Sequence, residues 1–188
     1  MNAIAEAFAP SATDLIRSDH TRVLAAFHRY KPSCSPGRKL ALVNTVCIAL
    51  EVHAQIEEEI FYPAIRSAHP AVVDKSVPEH DEMRSLIATL RGMEPTSAEY
   101  DRTFMELMRT VIHHVADEET SLLADAERLL ESELGELGAR MMRRRIQLMM
   151  PRAGEIARNG ALAMSATPLL LAGGALIAGA LLFRRRGV

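Results

Sequence analysis

His53-Ala54-Gln55-Ile56-Glu57 and His114-Val115-Ala116-Asp117-Glu118 are the two stretches whose reading decides the fold. Each sets an imidazole and a carboxylate four residues apart. Four residues of helix turn about 400°, so both side chains of a pair stand on one face, one above the other. Such a pair can hold one cation, and the carboxylate can reach a second. Two copies about 60 residues apart predict two long helices that present their pairs to one another.

Working outward, two more helices each offer one further imidazole, His20 and His80. Ser11 followed by Asp14 reads as a capping box that starts a first helix, running to about Tyr30. Lys31 to Gly37 is a loop, and Ser35-Pro36 suits the cap and first turn of a second helix. That helix is predicted to reach Ala68, with a kink at Pro63. The third is predicted to open at Ser76 to Pro78 and end near Gly92, the fourth to run from about Ala98 to Leu130. An amphipathic segment follows, Glu133 to Met150, and Arg152 to Gly160 reads as a linker. No stretch has the Val/Ile/Thr alternation of a strand. Ala, Leu, Met, Glu and Arg dominate, which favours helix. The fold class is therefore all-α: an up-down-up-down four-helix bundle.

In such a bundle one site can draw ligands from every helix. The candidate metal ligands are His20, His53, Glu57, His80, His114 and Glu118. Four imidazoles and two carboxylates suit iron, manganese or zinc and exclude a thiolate-type site. Burying the two carboxylates without partners would cost several kcal/mol each, which two divalent cations would offset. The resulting net positive charge would attract an anion, hydroxide or reduced dioxygen. A lone His on a helix is usually a satisfied or solvent-facing side chain. His28 and His69 are read that way. His113 points about 100° away from His114, and paired with Asp117 it is an alternative to it. Glu58, Glu59 and Glu119 form a solvated face or hydrogen-bond the ligating imidazoles. Met83, Met105 and Met108 are core filler.

The stretches Arg17-Ser18-Asp19-His20, His53 to Pro63, Pro78-Glu79-His80 and His113 to Glu119 resemble the hemerythrin-like, HHE cation-binding family over about residues 12 to 130. The resemblance implies a four-helix bundle with two non-haem irons, held by the same six residues, with Glu57 and Glu118 as candidate bridges. The oxygen-carrying hemerythrins have a His-x-x-x-His pair on the third helix; here Ser76 and Arg84 flank His80, so one imidazole is missing. The usual proline after the fourth-helix motif is also absent, with Ala124 near its place. One fewer ligand leaves the metals more open, which favours sensing, peroxide or NO chemistry, or iron handling over oxygen carriage.

A formal charge of −2 lacks the cationic footprint of a nucleic-acid binder. Cys34 and Cys47 form no disulfide framework and read as reduced thiols in a cytosolic compartment. The N-terminus lacks the charged and apolar regions of a secretory signal. From Ala161 to Phe183 no residue is charged, and Arg184 to Arg186 follow. A run of that length spans a bilayer core as a helix. Small residues four apart within it, Gly174 and Ala178, allow helix pairing and a homo-oligomer. Arginines before the run outnumber those after it, which places the bundle in the cytoplasm. The expected divisions are a tail at 1–10, the bundle at 11–131, an amphipathic helix and linker at 132–160, a single transmembrane helix at 161–183 and a basic tip at 184–188. The expected function is binding of O2 or a related diatomic near the membrane, for sensing or buffering, with an unknown protein partner as output. The alternatives are an oxidoreductase acting on peroxide, NO or iron(II), and a membrane-tethered interaction bundle without a redox metal.

Overall fold

The computed structural model describes residues 10–163. Its helices are α1 (Ala12–Arg29), α2 (Pro36–Ile56), α3 (Tyr62–Ile65), α4 (Pro70–Arg91), α5 (Ala98–Asp117), α6 (Leu123–Leu129), α7 (Leu134–Met149) and α8 (Ala153–Ala163). No strand occurs among the described residues. A five-residue π-turn, Glu57–Phe61, joins α2 to α3, and another, Glu118–Leu122, joins α5 to α6. Each joined pair makes one continuous rod, so the bundle's four rods are α1, α2–α3, α4 and α5–α6.

Local sequence explains most of the boundaries. Ser11 Oγ accepts from the Asp14 N–H at 3.2 Å and donates to its carboxylate at 2.7 Å, capping α1. Ser97 Oγ accepts from the Tyr100 N–H and caps α5. Ser35 makes no side-chain cap, and α2 begins on Pro36 at its first turn. The third rod starts six residues earlier than its sequence suggests. Pro70 serves as the first-turn proline, and Val73, Ser76, His80, Met83, Ile87 and Leu90 then bury one continuous helical face. Pro78 lies inside this helix with its ring exposed, where water can serve the carbonyl it leaves unpaired.

Two apolar clusters establish the topology. One gathers Val23, Phe27 and Tyr30 from the end of α1, Val46 and Leu50 from α2, Met83 and Ile87 from the later part of α4, and Phe104, Leu107 and Val111 from α5. The other gathers Leu15 and Ile16, Ile56 and Phe61, Val73, and Leu122 and Ala126. Each cluster takes alternating ends of successive rods, so neighbours run antiparallel, up-down-up-down. The buried polar residues His20, His53, Glu57, His80, His114 and Glu118 fall between the two clusters in sequence on every rod.

Two further helices brace the bundle. α7 seats Leu134, Leu137 and Met141 in the second cluster. A Cβ at Gly138 would lie 2.1 Å from the Pro10 carbonyl oxygen and 2.8 Å from the Ser11 carbonyl carbon, so only glycine lets α7 approach the start of α1 this closely. The stretch read as a linker is helix α8. It packs along α2, buries Asn159 and Ala163, and is held by Arg152 on Glu51 at 2.7 Å and Arg29 on the Ala163 carbonyl at 3.2 Å. The expected transmembrane helix lies, apart from its first three residues, outside the described residues. Within them, Pro36–Ile65 is long and apolar enough to cross a bilayer, but two thirds of its apolar window (67%) is buried in the bundle, as a core helix requires.

Candidate metal centre

All six sequence-selected residues meet in the polar layer, none more than 3% exposed. Glu57 Oε2 lies 3.2 Å from His53 Nε2 and 3.4 Å from His80 Nε2. Glu118 Oε2 lies 3.4 Å from both His20 Nε2 and His114 Nε2. His80 Nε2 and His114 Nε2 are 3.2 Å apart. Two ligand atoms each about 2.1 Å from one ion stand about 3.0–3.4 Å apart, at octahedral or tetrahedral angles. Two overlapping ligand groups result: His20, His53, His114 and Glu118, and His53, Glu57, His80 and His114.

The imidazoles are oriented by carboxylates behind them. His20 Nδ1 meets Glu119 at 2.9 Å, His80 Nδ1 meets Glu58 at 2.8 Å, and His114 Nδ1 meets Glu79 at 3.1 Å. Asp19 stands 3.6 Å from His53 Nδ1, beyond hydrogen-bond reach, and leaves that nitrogen without a partner. The pattern closes around the bundle: Asp19 of α1 faces the His of α2, Glu58 of the second rod the His of α4, Glu79 of α4 the His of α5, and Glu119 of the fourth rod the His of α1. Each acid adjoins a candidate ligand on its own rod. A neutral imidazole that donates Nδ1–H outward presents a bare Nε2 lone pair inward. His80 and His114 therefore aim two lone pairs at one another, an arrangement that calls for a cation. His20 Nε2, His53 Nε2, Glu57 Oε1 and Glu118 Oε2 are buried without a hydrogen-bond partner. The donor set thus fits divalent metal.

Charge behaves accordingly. Burial, and then the neighbouring charge of Glu118, push the Glu57 carboxyl well above its ordinary range. Burial pushes His53 down to about 4. Burial also opposes the His20 imidazolium, but the Glu118 carboxylate 3.4 Å away and the charge of Glu57 outweigh it and raise His20 to about 9. The outer carboxylates are stabilised in turn: Arg84 makes two 2.8 Å contacts with Glu58, Arg145 of α7 bonds Asp19, and Lys75 lies 3.7 Å from Glu79.

Tyr62 was not singled out from the sequence. In an unbroken α-helix it would sit 140° away from Glu57. The π-turn, closed by the Tyr62 N–H on the Glu57 carbonyl, adds the angular room that returns it to the site. Its hydroxyl donates to Glu118 Oε1 at 2.7 Å and lies 3.2 Å from Glu57 Oε2 and 3.5 Å from His80 Nε2, while its ring stacks on His80. Ser76 is one turn before His80 and buried, and its side chain lies beside the phenol. The phenol thus stands beside the position where a His-x-x-x-His helix would carry its extra imidazole. Across the layer, a cavity of about 10 Å³ is lined by Asp19, His20, His53 and His114 with Val23, Leu50, Val111 and Val115.

The residues outside the constellation also find their places. His113 is exposed at 64%, so the inward pair is His114 and Glu118. His28 is exposed, whereas His69 is half-buried and pairs with Asp125 at 2.7 Å. Glu59 bonds Arg144 rather than an imidazole. Met83 is core and Met108 packs on it, but Met105 is 48% exposed because it falls on the outer face of α5. Cys34 and Cys47 are free thiols, Cys47 buried.

A helical bundle with a buried imidazole–carboxylate layer defines a cation-binding class of protein. The sequence matches the Hemerythrin HHE cation binding domain family over residues 11–126, and the chain belongs to that family. It is similar to a DNA nickase of Nostoc sp. (strain PCC 7120), 30% identical over 121 residues, which cover 64% of this chain and 34% of that protein. The chain thus spans about a third of the nickase. It is 27% identical over 143 residues to Rv2633c of Mycobacterium tuberculosis, an uncharacterized protein, covering 73% of this chain and 87% of the other. A crystal structure of a hemerythrin HHE domain protein from Mycobacterium kansasii, an Rv2633c homolog, superposes with a TM-score of 0.64 at 20% identity, over 84% of this chain and 99% of the other. That likeness supports the fold.

Proposed function

We propose that the centre holds two non-haem irons and binds O2 or a related diatomic, for sensing or buffering at a membrane. The observation that carries this reading is the small apolar cavity against His20, His53 and His114, on the side of the layer away from Tyr62. A space of about 10 Å³ is at the lower limit for one water-sized guest, so a diatomic would enter only as the apolar wall gives slightly, and larger substrates are excluded. Iron would supply reversible electron donation to such a guest. The chain's part is to orient the Nε2 atoms of His20, His80 and His114 through their outer carboxylates, to exclude bulk water with Val23, Leu50, Val111 and Val115, and to keep a proton available near Glu57 and Tyr62. The membrane part rests on the uncharged apolar run from Ala161 to Phe183.

Anaerobic loading with iron(II), metal counting and exposure to air or NO test this. Two irons per chain, lost in His53→Ala and Glu118→Ala, and a new visible absorption band on exposure are expected. No spectral response to either gas would remove the diatomic reading.

The Tyr62 hydroxyl favours a second reading. A phenol 2.7 Å from Glu118 can deliver a proton at the centre, which suits an oxidoreductase acting on peroxide, NO or iron(II). Sustained turnover that slows in Tyr62→Phe would select the enzyme; a single turnover that stops would select the binding protein. The nicking activity named for the Nostoc relative belongs to a protein about twice as long, and the −2 charge of this chain lacks the overall cationic excess of a nucleic-acid binder.

A further inference from the structure

The sequence His113-His114-Val115-Ala116-Asp117-Glu118 contains two His-x-x-x-acid pairs, one residue out of step. The inward pair is absorbed by the centre. The outward pair, His113 and Asp117, meets Glu79 of α4. His113 Nδ1 is 3.4 Å from Glu79 Oε1 and 3.7 Å from Asp117 Oδ2, and the three ligand atoms lie within 4.8 Å of one another. The 3.4 Å separation is what two ligands on one tetrahedral ion show, about 3.4 Å, and the 3.7 Å one needs a small closure. Unlike the buried six, this group is open to solvent: His113 is 64% exposed and Asp117 37%.

Glu79 ties the two places together. Its Oε1 faces the exposed His113, and its Oε2 accepts from His114 Nδ1 at 3.1 Å. The inner residues are sealed from water, so cations need a route through the wall of the bundle. Glu79, 15% exposed, stands in that wall. Lys75 bonds Asp117 and lies 3.7 Å from Glu79 Oε1, so its ammonium occupies the negative cleft. Lys75 is 53% exposed and can swing into solvent when a cation arrives.

We propose that Glu79, His113 and Asp117 form an exposed site for a first-row divalent cation, with Lys75 as its resident counter-charge, and that this site feeds the buried centre through the shared Glu79. One nitrogen and two carboxylate ligands suit iron(II), manganese(II) or zinc(II). The feeding role rests on reading the buried six as a cation centre; the exposed site stands without it.

The test uses the full chain and zinc(II) in equilibrium dialysis, with anaerobic iron(II) uptake measured alongside. Wild type should bind one more zinc than His113→Ala or Asp117→Asn. Lys75→Ala should bind that ion about tenfold more tightly, because a like charge about 4 Å away is removed. His53→Ala should lose inner ions and keep the outer one, so failure of the inner centre and failure of the outer site are read separately. His113→Ala should also load iron severalfold more slowly to an unchanged final count. Equal zinc counts in wild type, Lys75→Ala and His113→Ala would overturn the site. An unchanged loading rate in His113→Ala would overturn the feeding role.

Discussion

Removing the two inner carboxylate charges should separate the stability of the bundle from that of its metal. The perturbation is Glu57→Gln with Glu118→Gln, compared with wild type under iron(II) without oxygen and under chelator. Both side chains are fully buried and share one layer. Burial and the Glu118 charge already favour the protonated form of Glu57, so glutamine replaces one of the pair with a near-isostere of its metal-free state. Under chelator Glu57→Gln alone should melt at or above wild type, whereas burial of the Glu118 carboxylate is outweighed by His114 and His20, so Glu118→Gln removes a buried charge partner and should cost stability. The measured quantity is therefore each protein's own shift on adding metal. At free iron about 100-fold above its dissociation constant, linkage adds about 2.7 kcal/mol to wild type. A domain of roughly 150 residues moves about 2–4 °C per kcal/mol, so the shift should be about 5–11 °C. The double variant, without its carboxylate ligands, should show little of it. Thermal melting followed by circular dichroism reads both. A wild type that melts identically with and without iron would refute the reasoning, as would a double variant that keeps the full shift.

Gly138→Ala should destabilise the protein by about 1–3 kcal/mol in denaturant unfolding, because the added methyl meets the backbone of Pro10 and Ser11, which cannot move aside as a flexible side chain would. Burial works against the Glu51 carboxylate, but Arg91 and then Arg152 outweigh it and lower its pKa below 4.5. Its contribution is therefore complete above pH 4.5 and is lost as pH falls through the lowered value; Glu51→Gln should flatten that part of the acid unfolding curve, and an unchanged curve would count against the link to α8. Burial raises the Cys47 thiol to about 12, so a thiol reagent at neutral pH should modify Cys34 alone until the bundle is unfolded.

The helical class, the six converging residues and the caps at Ser11 and Pro36 were legible because each is a local signal: spacing, a hydroxyl before a helix, a proline at a first turn. Tyr62 was not, since its place depends on a turn of five residues, and a periodicity of 3.6 carries no sign of one. The spacing 53, 57, 62 was the available trace. The outer carboxylates were half legible. Glu58 and Glu119 were considered as imidazole partners, but Asp19 and Glu79 were passed over although they too adjoin a candidate ligand. Which histidine each would face requires knowing the neighbouring rod. The early start of α4 was hidden by Pro78, which reads as a boundary until its exposed position is seen. The helix α8 was hidden by Gly154 and Gly160, two poor helix formers whose cost is met by packing of Asn159 and Ala163 on the bundle.

The two π-turns have a consequence for chain length. Each absorbs one residue more than an α-turn holds, immediately after the glutamate of a His-x-x-x-Glu pair. A relative lacking one residue within 57–61 or 118–122 could close that turn to an ordinary α-turn without moving the histidine or the glutamate, and everything beyond would keep its direction. In the second rod the tyrosine would then stand four residues after the glutamate, about 40° round the helix, and still face the centre. A rod of unchanged length that closed the turn would instead rotate everything beyond by about 100° and carry the tyrosine away. Two short windows thus decide what faces the centre, and there a one-residue deletion should disturb the site less than a straightened turn.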